Sequence, residues 1–370
     1  MKVNPSLTLA ITSKAKQMKA QGDDVISLAA GEPDTLVPEI VKEAAVFAIG
    51  ENFNKYTPAS GIMELKEAIV QKFKRDNQIG YNVENIMISN GGKQVLFNIL
   101  FLLGGEVIVP KPYWLTYPEQ IKMAGGKAVF CETENNLVKA ELIAEKITSE
   151  TKAIILNSPN NPTGAVISRE ELQKIADLAV EKKIYIISDE VYEHFVYDEE
   201  HVSIASLNEE IKKLTITVNA ISKSFSVPGW RIGYGAGPAD LIKEMSAIQS
   251  HITSGANSIA QKAAVKALGL GRNEEVVSEY KERRDFMVDS LNKMGLECRR
   301  PSGAFYCWAK INGDSLDFCN KLLEEKKVAV IPGEPFGMKD HIRLSYAVSM
   351  EKIEEAMKRM SEFVQHRMAY

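Results

Sequence analysis

Short apolar runs in this sequence are repeatedly followed by groups that could do chemistry. NIMIS (85–89) is followed by Asn90-Gly91-Gly92-Lys93, and KAIILN (152–157) by Ser158-Pro159-Asn160-Asn161-Pro162-Thr163-Gly164. KIYIIS (183–188) runs into Asp189-Glu190-Val191-Tyr192. After KLTITVN (213–219) come Ser222-Lys223-Ser224 and then Gly229-Trp230-Arg231. Singly, each has an ordinary explanation: a tight turn, a helix cap, a solvated lysine or a surface ion pair. Ligands of open α/β sheets, however, bind beyond the carboxyl ends of the strands, and these groups would all gather at that edge.

One cofactor chemistry uses the whole set. Pyridoxal phosphate is an aldehyde and needs an amine to form an imine; Lys223 serves if burial or a neighbouring cation lowers its pKa. The ring withdraws electrons well only while its nitrogen stays protonated, which a fixed carboxylate secures, and Asp189 is the candidate. Backbone N–H groups of Gly92 and Lys93 at a helix start, with Ser222 and Arg231, suit the phosphate. Asn161 and Tyr192 can donate to the ring oxygen, and Trp114 offers a flat face for stacking.

The elements that must position these groups follow from the pattern. The apolar runs, including EVIVP (106–110), alternate with amphipathic stretches such as SREELQKIADLAVEKK, which opens on Ser168 as an N-cap. Strands apolar throughout and separated by helices indicate an α/β fold whose mostly parallel sheet is covered by helices on both faces. From Asn273 the texture changes to a long helix, shorter strands (AFYCWAKI, VAVIPG, HIRLSYA) and a terminal helix. This reads as a smaller α+β domain. The expected division is 1–40 as an N-terminal arm and part of the small domain, 41–272 as the large cofactor-binding domain, and 273–370 as the small domain. A chain of 370 residues is long enough for two cores.

Composition excludes other classes. A net charge of −4, with both signs mixed along the chain, leaves no footprint for nucleic acid or an anionic membrane. The four cysteines form no CxxC pair and the five histidines no ligand spacing, so neither a disulfide framework nor a metal site is expected. No apolar run is long enough for a signal peptide or a bilayer span, which makes a cytoplasmic location the expectation. Gly233-Tyr234-Gly235-Ala236-Gly237 lacks the GxGxxG spacing of a dinucleotide loop, and Gly92-Lys93-Gln94 lacks the Ser or Thr of a P-loop.

Motifs from one end of the chain to the other carry a family resemblance: LAAGEPD (28–34), KYTPASGIMELKEAI (55–69), SNGGKQVLFN (89–98), PYWLTYPE (112–119), NSPNNPTGAV (157–166), SDEVYEH (188–194), SKSFSVPGWRIGYGAGP (222–238), PSGAFY (301–306) and HIRLSYA (341–347). The sequence resembles the class I aminotransferases among the fold-type-I pyridoxal-phosphate enzymes, and most closely the bacterial and archaeal aspartate aminotransferase branch. The resemblance implies Lys223 as Schiff-base residue and proton shuttle, Asp189 on the pyridinium nitrogen, and Asn161 and Tyr192 on the ring oxygen. It implies Trp114 stacked on the ring, and Gly92, Lys93, Ser222 and Arg231 on the phosphate. Arg343 becomes the clamp for the substrate α-carboxylate, assisted by the Gly31 amide. Tyr56 becomes the tyrosine that reaches the phosphate of a second subunit, so a homodimer with shared sites is implied. Lys93 stands where this branch reads the distal carboxylate of aspartate or glutamate.

The reaction so implied is a ping-pong transfer of an amino group from an L-amino acid, aspartate or glutamate, to a 2-oxo acid such as 2-oxoglutarate or oxaloacetate. Two alternatives share the cofactor motifs: an aminotransferase for aromatic or other amino acids, and a C–S lyase. A regulator built on the same body would need a DNA-binding module, for which there are no spare residues. The sequence departs from the family pattern at Thr35-Leu36-Val37-Pro38, at Leu103-Gly104-Gly105 and at Lys111, all of which bear on substrate detail.

Overall fold

The computed structural model describes residues 7–368, and side chains from 11 to 366; residues 1–6 of the expected arm and 369–370 lie outside the described residues. In chain order the strands are β1 (Ile26–Ser27), β2 (Ile86–Asn90), β3 (Glu106–Pro110), β4 (Lys127–Cys131), β5 (Thr151–Asn157), β6 (Tyr185–Asp189), β7 (Thr215–Ala220), β8 (Ile232–Ala236), β9 (Tyr306–Lys310), β10 (Val328–Ala329), β11 (Ile331–Pro332) and β12 (His341–Ser345). Seven of them form the central sheet in the order β2-β8-β7-β6-β5-β3-β4. Pairing is parallel from β7 through to β4, while β8 runs antiparallel to both neighbours. The fold is therefore α/β with a mostly parallel sheet, accompanied by the smaller antiparallel sheet β11-β12-β9.

Strand periodicity explains why the sheet is covered twice. Val107, Val109, Ala153, Ile155 and Ile187 point to one apolar cluster, and Ile108, Ile154, Leu156 and Ile186 to another on the opposite face. Each fully buried branched side chain contributes about 1.5–3 kcal/mol, so this alternation fixes the register of every interior strand. The helix Arg169–Lys182 covers the second face, and Ser168 caps it by accepting from Glu171 N.

Two strands of the central sheet were not among the apolar runs read from the sequence. β4 is an edge strand and half-exposed, so its residues carry no continuous apolar signal. β8 is the run Ile232-Gly233-Tyr234-Gly235-Ala236, fully buried at the heart of the fold. Glycine weakens a strand signal, yet here it has a packing cause. A Cβ on Gly233 would overlap the Gly92 nitrogen and the Gly91 carbonyl carbon, and one on Gly235 would sit 2.7 Å from Val95 Cγ1. The missing side chains let the helix Gly92–Leu103 lie directly on the strand.

The antiparallel strand has a consequence for chemistry. The carboxyl ends of β2, β5, β6 and β7 share one edge, and reversing β8 brings its start, next to Arg231, to that same edge. A third apolar cluster joins Ile11, Ala15 and Val25–Ala29 to Tyr280, Met287, Phe305–Trp308, Val328–Ile331 and Ile353–Val364. Its N-terminal strand β1 pairs with β10, Ile26 opposite Val328.

Gly233→Ala is expected to cost about 3 kcal/mol through overpacking and to weaken inorganic phosphate binding at the Gly92 helix start; thermal unfolding and phosphate titration of the purified protein measure the two effects.

Candidate active site

The shared edge opens into a cavity of about 550 Å³. Gly31, Gly92, Lys93, Trp114, Asn161, Asp189, Tyr192, Ser222, Lys223, Arg231 and Arg343 all line it. Every site residue singled out from the sequence is thus present except Tyr56, which is 99% exposed and stands outside the cavity. A smaller cavity of about 150 Å³ lies behind Tyr117 and Asn157 and contains neither Asp189 nor Lys223.

Asp189 ends β6, and its strand partner across the ladder is Asn157, the end of β5. Asn157 Nδ2 donates to the Asp189 carbonyl (3.0 Å), while its Oδ1 accepts from Asn161 N (2.8 Å), so one amide shapes the turn that presents Asn161. The Asp189 carboxyl is buried. Its Oδ2 accepts from the Tyr117 hydroxyl at 2.7 Å. Burial pushes its pKa up to about 6, the Tyr117 bond and Lys223 pull the other way, and Glu190 adds to the rise.

Lys223 sits in the helical turn Ile221–Ser224 that follows β7. Its Nζ donates to the Gly31 carbonyl at 2.5 Å. Burial lowers its pKa to about 8; Glu32 opposes this, and the guanidinium groups of Arg343 and Arg231 reinforce it. Lys223 and Asp189 face the same gap, but each is engaged by a different partner and no salt bridge joins them.

One end of the cavity suits an anion. Gly91 (φ 81°) caps the helix Gly92–Leu103, a left-handed geometry that glycine adopts without strain. The Arg231 guanidinium lies where a Cβ on Gly91 would be, donating to the Pro228 carbonyl (2.8 Å) and the Asn90 carbonyl (3.3 Å). Lys93 Nζ stands 4.9 Å from the centre of the Trp114 ring, its pKa lowered by burial and by Arg231. Lys16, Lys93, Lys223, Arg231 and Arg343 line the cavity against two acids, Glu32 and Asp189, in a chain that is negative overall. Together with a helix N-terminus, that excess of cations attracts phosphate and carboxylate groups.

The opposite end is built on β12. Arg343 donates from Nη1 to Asn161 Oδ1 (2.9 Å) and from Nη2 to the Ala29 carbonyl (3.0 Å). Its guanidinium carbon is 4.4 Å from the Tyr306 ring centre and 5.2 Å from that of Phe336. Its Nε is buried and has no hydrogen-bond partner among the described residues. Tyr192 and Tyr306 share a hydroxyl contact of 2.8 Å, and Asn161 Nδ2 reaches Tyr192 at 3.5 Å. Burial and the Tyr306 phenol push Tyr192 well above the usual phenol range, so it stays a neutral donor.

Sequence reasoning missed Tyr117, Tyr306, Asn157, Glu32, Thr12 and Lys16, which also line the cavity. Tyr117 had a local signal, since it lies three residues after Trp114, and their rings meet edge to face at 5.4 Å. Tyr306 stands in the PSGAFY motif, but its partner Tyr192 is 114 residues away.

Comparison with known proteins extends this picture over the whole chain. Residues 23–360 match the model of the aminotransferase class I and II family. The aspartate aminotransferase of Bacillus sp. (strain YM-2) is 45% identical over 380 residues, covering 98% of this chain and 97% of that protein. A probable aspartate/prephenate aminotransferase of Aquifex aeolicus is 44% identical, covering 97% and 96%. The solved aspartate aminotransferase of Thermus thermophilus with maleate superposes with a TM-score of 0.93 at 41% identity, covering 97% of each chain. That of Thermotoga maritima gives 0.94 at 41% identity, covering 98% of each.

Asp189 generates a test of the site's electrostatics in cofactor-free protein. Its raised pKa means that its contribution to stability is present below the ordinary carboxylate pKa and lost as pH rises through about 6. A shift of this size corresponds to roughly 3 kcal/mol, so Asp189→Asn should be the more stable protein by that order at pH 8 and show no advantage at pH 4. Denaturant unfolding at the two pH values measures the difference, and equal stabilities at pH 8 contradict it.

Proposed function

The chain belongs to the class I and II aminotransferases, and from that premise we propose that it transfers the amino group of aspartate to a 2-oxo acid, with pyridoxal phosphate held on Lys223. The observation that carries this reading is the pair Asp189 and Lys223, which face one gap from separate anchors without pairing to each other.

The residues fit the cofactor. A buried carboxylate with a raised pKa gains from a cationic partner, as a protonated ring nitrogen would be. A lysine with a lowered pKa has more of its amine free to bond an aldehyde. The Gly92 and Lys93 backbone amides, Ser222 and Arg231 would hold the phosphate, Asn161 and Tyr192 would donate to the ring oxygen, and Trp114 would cover the ring. When bound, pyridoxal phosphate supplies an electron sink for the pair released at the substrate α-carbon.

The remaining work falls to the protein. Arg343 binds the α-carboxylate through its forked donors, with its unpartnered Nε and the Gly31 amide nearby. This clamp orients the α C–H bond toward Lys223, which takes the proton as a base and returns it as an acid two bonds away. Asp189 keeps the ring nitrogen protonated throughout. Lys93 reads the distal carboxylate of the substrate. Lys16, further out on the cavity wall, favours a second reading in which the acceptor is a larger 2-oxo acid bearing another carboxylate.

The same reading takes 41–272 as the cofactor-binding unit and 1–40 with 273–370 as the smaller one, on the strength of their common apolar cluster. It also takes the enzyme as a homodimer. Leu36, Val46, Phe47 and Ile49 are 60% exposed or more, and Tyr56 is 99% exposed. A second copy covering these side chains would shield them and let Tyr56 reach its partner's phosphate. Among the described residues no helix is long and apolar enough to cross a membrane, and a cytoplasmic location belongs to this proposal.

A panel of amino donors with 2-oxoglutarate tests the substrate assignment: aspartate should turn over fastest, and a faster aromatic or aliphatic donor overturns it. Lys93→Ala should lower kcat/KM for aspartate by about 30-fold, the value of one charge-assisted bond, and leave alanine nearly unchanged. Equal losses on both donors remove Lys93 from specificity.

A further inference from the structure

The turn that follows β6 has two faces. Asp189 and Tyr192 point into the cavity, whereas Glu190 and Glu193 lie on the opposite side, 1% and 7% exposed. A bond from Glu193 N to the Glu190 carbonyl (3.0 Å) closes the turn, and three-residue spacing in a helical turn puts 189 with 192 and 190 with 193.

Behind the turn, Glu193 is held by three residues. Its Oε1 pairs with the buried Lys72 ammonium on the helix Met63–Asp76 and accepts from Asn219 Nδ2 at 2.6 Å. Its Oε2 accepts from Asn77 Nδ2 at 2.9 Å, and Lys72 donates to Asn77 Oδ1 at 2.6 Å. Burial opposes charge on this carboxyl, but Lys72, His194, His201 and Asn77 hold its pKa down to about 2. It stays ionised across the working range and is an anchor rather than a switch.

Glu190 accepts from Ser188 and Ser203 at 2.7 and 2.8 Å and lies 3.2 Å from His201 Nε2. Glu190, Glu193 and His201 bring metal-ligand atoms within 4.8 Å of one another. Yet all four carboxylate oxygens already have protein partners, and Lys72 supplies the countercharge. The cluster is an internal network rather than a cation site.

Asn219 gives the network its reach. Its Oδ1 accepts from Ala220 N at 2.7 Å, immediately before the helical turn that carries Lys223. We propose that Glu193 is a positioning residue: by bonding Lys72 and Asn219 it fixes the turn bearing Asp189 and Tyr192 against the turn bearing Lys223, and so sets the gap across which carboxylate and amine face each other. The proposal rests on the cofactor reading given above. Neither Lys72, Glu193 nor Asn219 lines the cavity, so the effect runs through geometry alone.

Two variants test it. Glu193→Gln keeps the size and removes the charge, while Asn219→Ser keeps the Lys72–Glu193 pair and cuts the tie to the Lys223 turn. Both are loaded with pyridoxal phosphate, and kcat, KM for aspartate and the pH midpoint of the cofactor's visible band are measured. The expected result is a kcat lowered by about tenfold or more with KM little changed, since misplacement by less than 1 Å is enough for such a loss. The band midpoint should move by about half a pH unit, because the carboxylate and amine no longer keep their spacing. A wild-type kcat and midpoint in either folded, loaded variant overturn the proposal. So does a loss of thermal stability with an unmoved midpoint, the signature of a purely structural network. If Glu193→Gln does not fold, Asn219→Ser decides alone. A wild-type protein that gives no visible band with pyridoxal phosphate overturns the cofactor reading itself, and this proposal with it.

Discussion

A carboxylate and an amine, both drawn out of bulk water, face one gap without neutralising each other. Left to themselves they would close into a salt bridge, since buried opposite charges gain most by direct contact. Separate anchors prevent it: Tyr117 donates to Asp189, and the Gly31 carbonyl accepts from Lys223. Both pKa values then move toward neutrality, Asp189 up and Lys223 down. Those anchors keep the gap between them open, and its preservation governs the architecture around it.

That spacing is inherited from the sheet. Asp189 ends β6 and Lys223 follows the adjacent parallel strand β7, so their separation is set by ladder geometry and by the alternating apolar residues that lock register on both faces. The reversed strand β8 then places Arg231 beside the Gly92 helix start, at the cost of glycines where the helix Gly92–Leu103 must approach. Rigid elements thus hold this end of the cavity, as a site of fixed geometry requires.

The opposite end of the cavity comes from elsewhere in the chain. Gly31 and the Ala29 carbonyl belong to the N-terminal segment, Arg343 and Tyr306 to the small antiparallel sheet, and Asn161 to the turn after β5. Arg343 touches both the first and last of these. These Arg343 contacts can therefore form only when the N-terminal segment lies on the small sheet, an arrangement that the pairing of β1 with β10 and the shared apolar cluster maintain.

Much of this was legible in the sequence. Apolar runs ending in Asp189, Asn157 or Asn219 mark interior strands, and the residues just beyond them are the ones that reach the cavity, because a parallel sheet delivers all its carboxyl ends to one edge. Lys223, Asp189, Asn161, Tyr192, Arg231 and Arg343 were found that way or by motif. The glycine-rich strand β8 and the half-exposed edge strand β4 were not, since neither carries the apolar signature of a buried strand. Nor could local pattern reveal partners separated by a hundred residues or more: Tyr306 against Tyr192, Lys72 against Glu193, or Gly31 beneath Lys223. Residue type and spacing determine which groups are available for chemistry. Which of them are stripped of water, and which neighbours shift their protons, is decided only when distant segments close over the same edge, because desolvation and charge coupling depend on distance in space rather than along the chain.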